Sequence, residues 1–217
     1  MSSEILEPNV VSPERAQSLA AVGPRRCTFE EYLKLGEDTD RTEWIDGTVI
    51  KMASDTVTHH RIVSFLAMVL SLYSEVHGLG EVFRSLFAMK LEAQRRGREP
   101  DILFVSCDRA NLIKENYLDG PADLAVEVIS PESVGRDRGE KFIEYEAAGI
   151  PEYWLIDPER QRAEFYELGA DRLYHLAPTP EGIYESKVLT GFFLRVEWLW
   201  TTPLPTIKAL RELKLIS

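Results

Sequence analysis

Asp123-Leu124-Ala125-Val126-Glu127-Val128-Ile129 is an apolar strand with one charge in its middle, and the reading of this chain works outward from it. Successive strand residues point to opposite faces, so Glu127 shares a face with Ala125 and Ile129. An ionised carboxylate in that setting costs several kcal/mol unless a cation or hydrogen-bond donors compensate it. Downstream, Asp137 to Ala148 has a helical pattern stopped by Gly149 and Pro151, and Glu152–Asp157 is the next strand. Upstream, strands are expected at Glu81–Arg84, Leu86–Leu91 and Asp101–Val105, with the basic tract Arg95-Arg96-Gly97-Arg98 as a loop between two of them.

The flanks carry local signals of the same kind. Thr28-Phe29-Glu30-Glu31 is a capping-box pattern that starts a short helix running to about Leu35. Arg41–Ile45 and Thr48–Met52 flank Asp46-Gly47, the dipeptide that suits a tight hairpin turn. From Val57 to His77, Ile62, Phe65, Leu66, Val69, Leu70, Leu72, Tyr73 and Val76 form a broad apolar helical stripe. Beyond Asp157, the segments Ala163–Leu168, Arg172–Leu176, Ile183–Leu189 and Phe192–Val196 read as an antiparallel meander, and a helix from Thr206 to Leu213 closes the chain. Phe192, Phe193, Trp198 and Trp200 read as core, with a homodimer contact as the other choice. The expectation is one α/β domain with a mixed sheet over residues 27–217, preceded by a flexible leader over 1–26.

Composition narrows the function. The 217 residues are 44% hydrophobic and 28% charged, enough for a core, and the charge count of 25 − 36 gives −11. That balance excludes a basic nucleic-acid coat and a polybasic membrane anchor. Contact with DNA would need a local site helped by a bound cation. Glu4, Glu7, Pro8 and Pro13 stand where a secretory signal needs a basic start and an apolar run, and the uncharged stretch Ile62–Ser74 is too short to span a membrane. Cys27 and Cys107 lack metal or disulfide spacing, which fits a reducing cytoplasm. Phosphate-loop, GxSxG, HExxH and GxGxxG patterns are absent.

The remaining chemistry lies in carboxylates. If the strand opened by Asp101 pairs antiparallel with the strand of Glu127, the two acids converge, and a hard divalent cation such as magnesium would relieve their repulsion. An edge position or an ordinary salt bridge is the competing explanation. Lys141 stands one helical turn from Tyr145 and four residues after Asp137. It could pair with Asp137, or point its ammonium at a phosphate or a water. Glu43, on a hairpin strand, reads from its surroundings as solvated. His59-His60 reads as a cap or core pair.

Several ordered blocks together resemble a known family. They are Glu43 to Met52, His59 to Val63, Glu99 to Val105, Leu124 to Ser133, and Asp137 to Glu159. From about Thr28 to Trp200 the chain resembles the Uma-type restriction endonuclease family of the PD-(D/E)XK nuclease superfamily. The resemblance implies a restriction-endonuclease-like mixed central sheet flanked by helices. It implies catalytic roles for Glu43, Asp101, Glu127 and Lys141, supporting roles for Asp137, Tyr145 and His59, and Mg²⁺ or Mn²⁺ held by Asp101, Glu127 and the carbonyl of Val128. The superfamily lysine belongs two residues after the glutamate, where this chain has Ile129; Lys141 is the natural substitute. The implied function is metal-dependent hydrolysis of DNA phosphodiester bonds by a homodimer or higher homo-oligomer, with Arg84, Arg95, Arg96, Arg98, Arg136 and Arg138 available for phosphate contacts. The alternatives are a catalytically inactive nuclease-fold module for binding or assembly, encouraged by the acidic balance and the displaced lysine, and a hydrolase of RNA or another phosphodiester.

Overall fold

The computed structural model describes residues 25–35, 42–52, 56–84, 86–130, 133 and 135–217. In chain order its elements begin with β1 (Arg25–Arg26), α1 (Phe29–Leu35), β2 (Thr42–Ile45), β3 (Thr48–Lys51), α2 (Val57–His77), β4 (Gly80–Arg84) and β5 (Ala88–Leu91). Next come β6 (Arg96–Arg98), β7 (Ile102–Ser106), β8 (Tyr117–Leu118), β9 (Leu124–Val128), and a π-helical turn (Arg136–Lys141) that runs into α3 (Phe142–Ala148). The remainder is β10 (Glu152–Asp157), β11 (Arg162–Leu168), β12 (Tyr174–Leu176), β13 (Ile183–Glu185), β14 (Phe193–Arg195) and α4 (Thr206–Glu212).

Local signals set several of these elements. Before α1, Thr28 Oγ1 accepts the Glu31 N–H at 3.2 Å while the Glu31 carboxylate accepts the Thr28 N–H at 2.9 Å, the reciprocal cap foreshadowed by the sequence. The β2–β3 hairpin turns on Asp46 (φ 48°) and Gly47 (φ 84°), a pair of left-handed residues that matches the twist of the flanking strands. Helix α2 covers the expected residues; Thr56 caps it by accepting the His59 N–H at 3.1 Å. Ile62, Phe65, Leu66, Val69 and Leu70 are buried from it, each worth about 1.5–3 kcal/mol against exposure. Val76, in the last turn, is exposed.

Two six-stranded sheets result, in the orders β1-β3-β2-β6-β5-β8 and β12-β11-β10-β9-β7-β4. In the second sheet β9 runs parallel to β10 and antiparallel to β7, because the π-turn and α3 return the chain to the starting end before β10 begins. Alternation divides β9 between two cores. Leu124, Val126 and Val128 join α2, Ile102, Phe104, Trp154 and Phe165, whereas Ala125 and Ile129 join Leu103, Val105, Tyr145, Tyr153 and Leu155, together with Met89 and Leu91 of the first sheet. Glu127, alternating with Ala125 and Ile129, therefore belongs to the side shared by both sheets.

Several expectations need correction. The tract Arg95–Arg98 is not a loop: Arg96–Arg98 is β6, between β2 and β5. Gly97 allows it, since a Cβ there would lie 2.6 Å from the Phe29 ring, while Arg96 and Arg98 on the same face both reach Glu144. The helix expected from Asp137 opens as the π-turn and becomes α-helical only at Phe142. The antiparallel run β10-β11-β12 is present, but β13 ends at Glu185 and pairs with β14 as a separate ribbon. The segment after β13 leaves strand geometry where the Glu152 carboxylate takes the N–H groups of Lys187 and Val188. Phe192 and Trp198 are buried in the α2 core, with Phe193 and Trp200 packed against it. The leader expected over 1–26 lies outside the described residues apart from Arg25 and Arg26, whose backbone pairs with β3. Among the described residues no helix is long and apolar enough to cross a membrane.

Candidate functional site

The register that pairs Ile102 with Val126 sets Asp101, just before β7, opposite Glu127 on β9. Asp101 Oδ2 accepts the Val128 N–H at 2.7 Å, fixing the acid across the strand pair. Its own position owes something to Pro100, which precedes the strand where a missing N–H is tolerated. From the start of α2, His59 Nε2 lies 3.0 Å from the same oxygen. His59 is buried and His60 is exposed.

Lys141, the last residue of the π-turn, sits among three acids. Its ammonium donates to Glu127 Oε1 at 2.8 Å and stands 3.1 Å from Glu43 Oε1 and 3.4 Å from Asp137 Oδ1. Tyr145, one turn further on, donates its hydroxyl to the same Glu127 oxygen at 2.9 Å. The π-turn is itself tied down, because the buried Tyr153 hydroxyl on β10 donates to the Asp137 carbonyl at 3.0 Å. Such turns are rare and occur often at functional sites. All seven expected side chains, Glu43, His59, Asp101, Glu127, Asp137, Lys141 and Tyr145, thus meet in one buried region between the sheets.

Arg98, expected among the residues available for phosphate contacts, is committed to the cluster instead, and its partners Glu140 and Glu144 escaped the sequence reading. Arg98 on β6 is fully buried; its Nη1 donates to Glu43 Oε2 at 2.6 Å, and its Nε and Nη2 fork onto Glu144 at 2.7 and 2.9 Å. Glu140 adds a contact at 3.3 Å. The alternation Arg96-Gly97-Arg98 and the i, i+4 spacing of Glu140 and Glu144 were the available signals. Glu43, expected to be solvated, is completely buried because Arg98 and Lys141 take one oxygen each.

The electrostatics follow from this crowding. Burial pushes the Glu43 carboxyl up, but Lys141, Arg98 and Arg136 outweigh it and hold the pKa down at about 2. Glu43 is therefore an anion near neutrality. Burial, followed by the charges of Glu127 and Glu43, pushes the Tyr145 hydroxyl well up, so it remains a proton donor to Glu127. Burial works against the Arg98 charge, yet Glu144 and Glu43 raise its pKa above the ordinary value.

Glu43, Asp101, Glu127 and Asp137 are each no more than 2% exposed, and the buried cations beside them are Lys141 and Arg98. Asp101 and Glu127 offer hard oxygen donors on neighbouring strands, the donor type preferred by magnesium or manganese. Val128, whose carbonyl is the third expected donor, is the residue whose N–H Asp101 holds. Among the described residues no three His, Cys, Asp or Glu side chains form a metal cage. Magnesium does not require one, since it keeps several waters and takes one or two carboxylates. The donor set is compatible with such an ion.

Comparisons with known proteins agree with this architecture. A crystal structure described as "a putative nuclease belonging to DUF820" from Anabaena variabilis superposes with a TM-score of 0.67 at 20% identity, covering 80% of this chain and 97% of that one. That likeness establishes a shared fold. An uncharacterized protein of Synechocystis sp. is 27% identical over 151 residues, 69% of this chain and 85% of the relative. A family model described as "Putative restriction endonuclease" matches residues 29–197, a span that contains every side chain of the cluster, and the chain belongs to that family, Uma2.

Proposed function

We propose that this protein hydrolyses phosphodiester bonds of DNA with a divalent cation, Mg²⁺ or Mn²⁺, held by Asp101, Glu127 and the Val128 carbonyl. One observation carries the reading. Four carboxylates are buried together beside two buried cations, and two of those carboxylates face each other across an antiparallel strand pair. Burying such an excess of negative charge is costly, and a fold built for stability alone gains more from apolar packing. Membership in the Uma2 family and the nuclease-like fold support the same reaction class.

When bound, such a cation supplies charge neutralisation at the phosphate and a water of lowered pKa. The protein's own groups would do the rest. Asp101, anchored on the Val128 N–H, and Glu127, anchored by Lys141 and Tyr145, keep their positions without reorganising during the reaction. Lys141, positioned by three acids, would orient the attacking water or meet charge developing on the phosphate. Glu43, with one oxygen on Arg98 and the other near Lys141, acts by aiming the lysine. His59 would fix the rotamer of Asp101.

Plasmid nicking in Mg²⁺ or Mn²⁺ tests this directly. Asp101→Asn and Glu127→Gln should each lower cleavage by about 10³-fold while circular dichroism shows a folded chain. Cleavage that survives both substitutions would rule out the site. Calorimetry with Mn²⁺ gives a second readout: binding heat should be present in the wild type and lost in both variants.

A further inference from the structure

The arginines that the sequence offers for phosphate contacts do not behave alike in the fold. Arg96 and Arg98 converge on Glu144, and Arg138 is held by Glu164 and Asp157. These guanidiniums face carboxylates of the protein itself. Arg84 and Arg95 are exposed. Arg136 is different.

Arg136 opens the π-turn that ends in Lys141, next to Asp137. Its Nε lies 3.9 Å from Asp137 Oδ1, beyond hydrogen-bond reach, and has no hydrogen-bond partner among the described residues although that atom is buried. The side chain as a whole is 27% exposed although its Nε is buried, so Arg136 lies at the boundary between the carboxylate cluster and solvent. Its charge is felt inside the cluster, where it helps Lys141 and Arg98 keep Glu43 ionised. A guanidinium carries five N–H donors in a planar fork that matches two oxygens of one phosphate. Here that fork lies beside the acids and, among the described residues, has no close bidentate partner such as Arg98 has in Glu144.

Resting on the nuclease reading, we propose that Arg136 grips a phosphate of the DNA strand being cut, by bidentate hydrogen bonds to its non-bridging oxygens. The rationale is complementarity of charge and position. A polyanion approaching buried carboxylates needs a cation at the entrance, and Arg136 is a partly exposed cation on the same turn as Lys141. Because both residues belong to one element, a strand seated on Arg136 is registered against Lys141 at the same time.

Binding can be measured apart from turnover. A short fluorescein-labelled DNA duplex, with Ca²⁺ replacing Mg²⁺ to suppress cleavage, is titrated by anisotropy between about 50 and 200 mM salt. Arg136→Gln should weaken binding roughly tenfold and make the slope of log Kd against log salt shallower by about 0.9, the value of one lost phosphate contact. Arg136→Lys should keep the slope and recover only part of the affinity, because an ammonium lacks the fork. Arg172→Gln, an exposed arginine at the Pro151 end of the sheet, should bind as the wild type does. Wild-type affinity and slope in Arg136→Gln would overturn the assignment and leave the nuclease reading standing, as would an equal loss in Arg172→Gln. A wild-type protein that binds no duplex at any salt concentration would overturn both.

Discussion

Glu152 opens β10, and Glu127 stands on β9, its parallel neighbour, yet these two buried glutamates face opposite sides of the sheet and are satisfied in opposite ways. Glu152 accepts from the Ser186 hydroxyl at 2.9 and 3.1 Å, the backbone N–H groups of Lys187 and Val188 at 2.5 and 2.9 Å, and the Trp154 indole at 3.1 Å. Every one of those donors is neutral. The carboxylate is enclosed by the segment it captures and pins the β13–β14 ribbon to the sheet. Glu127 has one neutral donor, the Tyr145 hydroxyl, and otherwise shares one ammonium with Glu43 and Asp137 and lies across from Asp101. Burial alone therefore does not mark a candidate site. What separates the two regions is whether a carboxylate is satisfied by neutral donors alone or also competes with neighbouring acids for a cation.

Three experiments press on that contrast, taken from the largest expected effect downward. Lys141→Ala should reduce cleavage per folded molecule by about 10²-fold or more, the scale of a lost positioned group, and should also lower stability, because three buried acids lose their shared ammonium. A folded variant that cleaves as fast as the wild type would put Lys141 in the same class as the donors around Glu152. Glu152→Ala should lower stability alone. Urea denaturation should show a loss of about 3 kcal/mol, because several buried donors lose their acceptor, while turnover per folded molecule stays at the wild-type value. A loss of turnover without a loss of stability would erase the distinction.

The smallest effect concerns acid. Glu43 has a pKa held at about 2, below its ordinary 4.5, so it contributes stability that is full above 4.5 and is lost as pH falls from there towards about 2. Glu43→Gln should flatten the dependence of the urea midpoint on pH across that window, and an unchanged acid limb would show that Glu43 is not an anion in the fold.

How much of this could be read from residues alone depended on the range of the cause. Helix α2, the Asp46-Gly47 turn and strand β10 follow from periodicity and turn chemistry within a few residues, and the structure has them where the pattern puts them. The meeting of Asp101 and Glu127 was legible on one supposition, that their strands pair antiparallel, and they do. Arg98 was not. Its carboxylate partner Glu144 is 46 positions away, and a charged side chain beside other arginines looks solvated until that partner is known. The same holds for Glu43, whose burial requires Arg98, 55 positions on. The expected strand through Leu189 failed for a related reason: Glu152, far upstream, claims the amides of Lys187 and Val188 that a longer strand would have used.

The grip on Lys141 also constrains how the molecule assembles. Glu43 comes from the first sheet, Glu127 from the second, and Asp137 from the crossover between β9 and β10. A folding chain with only one sheet in place would leave the lysine short of counter-charge, or Glu43 short of the lysine, in a region already starting to close. Dehydration of that region is favourable only when all three acids have arrived. Water should therefore leave this region only once both sheets and the crossover are in place.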